Sequence, residues 1–420
     1  MSALFSEDTY LDTLNHIERK KHLQKLKIIK FLYVKGAKTN AAICERFTIS
    51  APTSMALLNE LIAEGIVEKQ GRGLSIGGRK PDLYGLQENS LFVLSIEMEK
   101  HKTRMAIFNN KDKNITGIRT FPLQITQDLT AVDQLYICAE ELIQTAGIDK
   151  NKLIGIGISM PGLVASKEGN TYTYLLTNNS SESLEEILEK KFNKPVFIQN
   201  DVKTISLAEY RFGLAHGKKD VLVVWMDWGI GLGMIMDGKL RSGTSGFAGE
   251  FGHIPIIDDG LLCQCGKRGC LETVASGMAL VRLAKEGIKG GAVSMLSELT
   301  VQEIEQLEPP AIIEAANRGD QFAIRILSEV GMHLGKGLAI LIQLFNPELI
   351  ILSGTIAEAR QYITTPVQQS LNTYCMAQLR EKTSIALSDL GNNTLMLGSL
   401  ALVMENIFEN NIGFAKNKGV

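Results

Sequence analysis

The chain has 420 residues, 45% of them apolar and 21% charged, with a net charge of −2. That length is too great for one ordinary core and predicts two or three globular domains. No apolar run reaches the about 20 residues of a membrane span, residues 1–19 show no signal-peptide pattern, and six cysteines are too few for a disulfide framework; a cytoplasmic protein with no membrane partner is expected.

The near-neutral charge hides an asymmetry. From Ile17 to Gln87 there are 13 Lys/Arg against 6 Asp/Glu, so the first segment is basic and the rest acidic, and the first segment is the part suited to a polyanion. Ile17 to Val34 has apolar residues at spacings of three and four and predicts a helix ended by Gly36. Thr39 or Asn40 can cap a second helix through Phe47. Ser50 can cap a third that runs to about Glu64, with Pro52 in its first turn. Residues 66–69 and 83–86 read as strands joined by a basic, glycine-rich loop. The order is that of a winged helix-turn-helix over residues 1–88. Its third helix would enter the major groove of operator DNA, with Ser50, Thr53 and Ser54 near the bases and phosphates. Arg72, Arg79 and Lys80 of the wing suit a narrow A·T minor groove.

After Glu88 strands and helices mix. Strands are expected at 91–96, 103–108, 153–159, 195–199, 221–226 and 349–352, with 229–233 as a glycine loop. Helices are expected at 131–146, 184–191, 204–212, 311–343 and 399–409. Polar or glycine-rich residues at strand ends predict a two-lobed α/β protein with a cleft. The expected lobes are 89–199, rejoined by a helix at about 395–412, and 200–394. His253 followed by Cys263, Cys265 and Cys270 supplies an imidazole and three thiolates, the donor set of a closed tetrahedral Zn²⁺ site. Gly266 and Gly269 permit the turns that bring Cys265 and Cys270 together.

These residues carry a resemblance. Gly249-Glu250-Phe251-Gly252-His253, then Cys263-x-Cys265-Gly-x-x-Gly-Cys270-Leu271-Glu272, resembles the signature of the ROK family (repressor, open reading frame, kinase). Pro161-Gly162, Asn200-Asp201, Gly229-Ile230-Gly231, Asn346-Pro347-Glu348 and the wing Gly77-Gly78-Arg79-Lys80-Pro81 extend it from about Lys21 onward. The resemblance implies an actin-like, hexokinase-like fold with a sugar in the cleft, contacted by Asn200, Asp201, Glu250, His253 and Glu272. Convergent carboxylates and an amide suit the paired donors and acceptors of a sugar ring. In family kinases the residue matching Asp201 is the catalytic base. Here the first phosphate turn reads Glu97-Met98-Glu99-Lys100-His101 instead of Asp-x-Gly, and Asp227-Trp228 replaces a Gly-Thr. Negative charge and bulk oppose a nucleotide there. The expectation is therefore a sugar-responsive regulator, a homodimer or homotetramer, that does not phosphorylate its sugar. An active kinase with a DNA-binding head and a regulator controlled by a protein partner are the alternatives.

Overall fold

The computed structural model describes residues 15–73, 80–177 and 180–417, with side chains as far as residue 408. The chain divides into two compact units, one comprising Met1–Asp201 and Leu395–Val420, the other Val202–Thr394.

The first unit opens with helix α1 (His16–Lys35), started by a capping box in which Asn15 and Glu18 satisfy each other's backbone N–H groups. Helix α2 (Asn40–Phe47) is capped by Thr39 rather than Asn40; the hydroxyl accepts from the Ala42 N–H at 3.2 Å. Helix α3 (Ala51–Ala63) is capped by Ser50, which accepts from Thr53 at 3.3 Å. Strands β1 (Lys38–Thr39), β2 (Val67–Arg72) and β3 (Asp82–Leu86) form an antiparallel sheet in the order β1-β3-β2. Leu26, Ile29, Ile43, Leu58 and Leu61 are fully buried between them. Lys25 ties α1 to α3 through Glu60 at 2.9 Å and Glu64 at 2.6 Å. The order is that of a winged helix-turn-helix. One expectation fails here. Ser54 is fully buried, because positions 54, 58 and 61 fall on the inner stripe of α3; it cannot be a DNA contact. Arg79 lies outside the described residues.

The same unit continues with β4 (Phe92–Met98), β5 (Thr103–Asn109), β6 (Arg119–Phe121), α4 (Thr130–Thr145), β7 (Leu153–Met160), the small hairpin β8 (Val164–Ala165) and β9 (Asn170–Thr171), α5 (Leu184–Phe192) and β10 (Val196–Asn200). Strand order is β10-β7-β4-β5-β6, with β10, β7 and β4 parallel. β4 and β7 are buried along their whole length, as parallel strands covered on both faces should be. The final helix, α14 (Thr394–Asn417), packs on this sheet. A Cβ at Gly157 would stand 2.3 Å from the Ser399 carbonyl, so the glycine is what admits the helix backbone.

The second unit begins within α6 (Asp201–Phe212) and holds β11 (Val221–Met226), β12 (Ile230–Met236), β13 (Lys239–Leu240), α7 (Glu272–Ala275), α8 (Gly277–Lys289), α9 (Val301–Glu305), α10 (Pro309–Asn317), α11 (Gln321–Phe345), β14 (Leu349–Ser353), α12 (Gln361–Tyr374), α13 (Ala377–Arg380) and β15 (Ser384–Leu387). Its sheet runs β13-β12-β11-β14-β15. The stretch read as a glycine loop after β11 is strand β12, paired antiparallel with β11 from Val221↔Ile235 to Met226↔Ile230. The helix expected over 311–343 is two helices. Gly319 adopts φ +90°, and Asp320 caps α11 by accepting from Ala323 at 2.9 Å; left-handed backbone cannot continue a helix. No helix among the described residues is long and apolar enough to cross a membrane.

Candidate metal centre and ligand-binding residues

The segment from Glu250 to Glu272 contains little regular structure. Isolated bridges Pro255↔Cys270 and Leu262↔Arg268 pin it, and the Cys263 N–H donates to the Lys267 carbonyl at 2.8 Å. Gly269 has φ +74°, and a Cβ there would lie 1.8 Å from the Ile257 carbonyl, so only glycine closes this turn. The result gathers ligand atoms of His253, Cys263, Cys265 and Cys270 within 4.8 Å of one another. His253 Nδ1 is 3.5 Å from Cys263 Sγ, and Cys265 Sγ is 3.6 Å from Cys270 Sγ. A four-coordinate ion about 2.3 Å from each sulfur would hold sulfurs about 3.8 Å apart, so the group can hold a metal ion. Burial pushes the Cys263 and Cys270 thiols up, Cys270 to about 12, whereas a backbone hydrogen bond from Lys267 lowers that of Cys265. A divalent cation supplies the positive charge that such buried sulfurs need to ionise.

The sugar candidates of the second unit lie around this cluster. His253 Nε2, the nitrogen away from Cys263, faces Glu250 Oε2 at 4.0 Å, and the Glu250 side chain is about half exposed, at 51%. Glu272 is buried. Its Oε2 accepts from the Ile230 N–H at 3.3 Å and its Oε1 from Gln264 Nε2 at 3.2 Å. Gln264, inside the Cys-x-Cys turn, thus links the cluster to Glu272; nothing in the sequence singled it out, because a glutamine carries no spacing signal. In the first unit Asn200 ends β10, and Asp201 follows it as the first residue of α6. Asn200 Nδ2 donates to the Gly162 carbonyl at 3.0 Å, which joins two of the motifs recognised separately.

The hairpin β4–β5 is filled by its own charges. Arg104 pairs with Glu97 at 2.6 Å and with Glu99 at 3.2 Å, and Lys102 meets Glu99 at 3.4 Å. The register sets Arg104, Glu97, Ser159 and Gln199 side by side across four strands. Glu97 is 3% exposed, and its Oε2 and the hydroxyls of Ser95 and Ser159 are buried with no hydrogen-bond partner. Burial pushes the Glu97 carboxyl up to about 7 against the pull of Arg104. In the second unit, the other altered turn, Asp227 accepts from the Thr355 hydroxyl at 3.0 Å, and Trp228 is exposed.

On the winged head, Ser50, Thr53, Arg72 and Lys80 are exposed. Strand β2 meets β3 at Arg72↔Asp82, and the Gly73 N–H donates to the Pro81 carbonyl at 2.8 Å, so Arg72, the last residue of β2, and Lys80, two residues before β3, flank the base of the wing.

The ROK family signature matches residues 93–406. The DNA-binding transcriptional dual regulator NagC of Escherichia coli K12 is 26% identical over 392 residues, covering 93% of this chain and 94% of its own. A glucokinase of Halalkalibacterium halodurans is 32% identical over 257 residues, covering 61% of this chain and 78% of its own. Among solved structures, a ROK family transcriptional regulator described as a homologue of the E. coli MLC protein superposes with a TM-score of 0.79 at 24% identity, over 96% of this chain and 100% of its own. That likeness establishes the fold, an actin-like kinase fold behind a helical head. Motif, fold and a signature spanning most of the sequence agree: the chain belongs to the ROK family.

Proposed function

We propose that this protein is a sugar-responsive, DNA-binding transcription regulator, a repressor of carbohydrate-use genes, which binds its sugar without phosphorylating it. One observation carries the reading. The similarity to a full-length regulator covers 93% of the chain, winged head included, whereas the similarity to a glucokinase covers 61%. In this reading residues 1–88 grip operator DNA, with Ser50, Thr53, Arg72, Arg79 and Lys80 as contacts. Residues 89–199 with the helix from about 395 form one lobe, and 200–394 the other. The protein acts as a cytoplasmic homodimer or homotetramer, since two-fold operators match two-fold proteins.

The metal of the His253, Cys263, Cys265 and Cys270 group is Zn²⁺, for which three thiolates and an imidazole are a closed structural set. Zinc there supplies a charge anchor and no chemistry on the sugar. His253 would hold the metal through the ring nitrogen facing Cys263, and its Nε2 would remain with Glu250 to bind hydroxyls. A carboxylate offers about four acceptor positions, so Glu272 keeps Ile230 and Gln264 and still accepts from one hydroxyl. Asn200 and Asp201 complete the sugar-binding set.

The absence of phosphoryl transfer is inferred from the two altered turns. Glu97 and Glu99 are already tied to Arg104 and Lys102 where a kinase turn receives phosphate, and Asp227 and Trp228 replace the small residues of the other turn. Tyr33 of α1 couples head to body. Its hydroxyl donates to Asp112 and its ring lies 6.4 Å from that of Phe408 in α14. Sugar acts through its differential affinity for the DNA-gripping and released states, an effect of roughly 1–3 kcal/mol per site.

The test uses the full chain, a duplex enriched by it from a random library, and a panel of hexoses, pentoses and N-acetylhexosamines. One sugar should weaken duplex binding at least five-fold and raise the melting temperature, and Glu250→Gln should abolish both effects. Steady ADP production with any sugar and MgATP would overturn the non-kinase reading. Indifference of the duplex to every sugar would favour control by a protein partner.

A further inference from the structure

In a winged helix-turn-helix the helix placed in the major groove is the one here labelled α3, and its composition restricts what it can read. Ala51–Ala63 contains no Lys, Arg or His. The commonest specific contact to guanine, a bidentate Arg or Lys on N7 and O6, therefore has no donor on this helix. Its one acidic residue, Glu60, bonds Lys21 at 2.5 Å and Lys25 at 2.9 Å, which engages the carboxylate that would otherwise accept from cytosine N4. The exposed positions of its first two turns and a half are Ala51, Pro52, Thr53, Ala56 and Asn59, while Ser54, Leu57, Leu58 and Leu61 are buried. The Thr53 hydroxyl is hydrogen-bonded to Ser50 Oγ at 2.8 Å. The outer face thus offers the methyl groups of Ala51, Thr53 and Ala56 and a single carboxamide, Asn59. Methyls suit the C5-methyl of thymine, and a carboxamide suits N6 and N7 of adenine.

We infer that α3 reads A·T base pairs by methyl contact, with Asn59 specifying one adenine in each half-site. The inference rests on the DNA-binding reading above. Cations on other elements, among them the exposed Arg46, Arg72 and Lys80, supply affinity through phosphates, which position the protein without reading sequence through the helix.

The experiment enriches duplexes from a randomised library with the full chain, locates the major-groove positions under α3 by footprinting, and replaces each thymine there with deoxyuracil, which lacks only the methyl. A·T pairs should dominate those positions. Loss of one contacted methyl should weaken binding roughly four-fold, and in Ala56→Gly the penalty at one thymine should vanish. Ala56→Ser, which keeps the helix, should reduce the same penalty without changing the melting temperature. Asn59→Ala should relax the preference for one adenine by about ten-fold. Enrichment of guanine under α3, or indifference to deoxyuracil in a duplex that binds, overturns methyl reading while leaving DNA binding intact. Enrichment of no duplex at all overturns the DNA-binding reading itself, and this inference with it.

Discussion

The open end of the β4–β5 hairpin and the loop from Glu250 to Glu272 both gather charged or ionisable side chains, yet they are held in opposite ways. In the hairpin, Arg104 and Lys102 neutralise Glu97 and Glu99 within the same turn, so the segment carries its own counter-ions. In the loop, three sulfurs and an imidazole converge within 4.8 Å, and burial disfavours ionisation of two of the thiols, Cys263 and Cys270. The contrast teaches that such a cluster can be held by a cation of the chain itself, as Glu97 is by Arg104, or be arranged so that it can hold a metal ion, as the sulfurs and imidazole are.

Metal removal should have the largest effect on that contrast. Protein stripped by a strong chelator, or carrying Cys270→Ser, should lose about one zinc per chain and melt with a loss of several kcal/mol, while the hairpin ion pairs are untouched. Metal-free protein, verified by elemental analysis, that melts like the native form would break the comparison.

Next in size is the pH dependence of Glu97. Its folded value of about 7 lies above the ordinary 4.5, so folding favours the neutral carboxyl. That contribution is fully present below pH 4.5 and is lost as pH rises through 7. Glu97→Gln should therefore match the native protein near pH 4.5 and exceed it at pH 8, by up to about 3 kcal/mol. Denaturation curves at both pH values check this. A gain that does not grow with pH would mean that Arg104 holds Glu97 ionised throughout.

The smallest effect belongs to a region with neither device. Ser50→Ala removes the cap of α3 and should cost about 1 kcal/mol, equally with and without zinc. A cost that changes on chelation, read from paired melting curves, would show that head and loop do not act independently.

Much of the head was legible because periodicity and caps are local. The stripe from Leu23 to Leu32, Gly36, Thr39, Ser50 and Pro52 each act on their own turn of chain, and the helices begin and end where these residues stand. Ser54 was misjudged because the opening turn was read as a polar set, and which side of α3 faces inward depends on packing with α1 and α2. The break at Gly319 was missed because apolar residues continue across it on both sides. The self-paired hairpin was partly legible: opposite charges at Glu97 and Arg104 face each other once the turn is counted, but their burial is not a property of the hairpin.

The sequence by itself determined the donor set of the metal cluster, the order of the winged head and the family, since each rests on residue types at short, fixed separations. Tertiary structure decided which groups are satisfied: Gln264 on Glu272, Arg104 on Glu97, Asn200 on Gly162, Tyr33 on Asp112. Those partners are brought together by sheet register and helix packing across long stretches of chain or by the course of an irregular loop, and the cost of an unpaired buried charge, unlike a helix cap, cannot be assigned until the surrounding elements have removed the water.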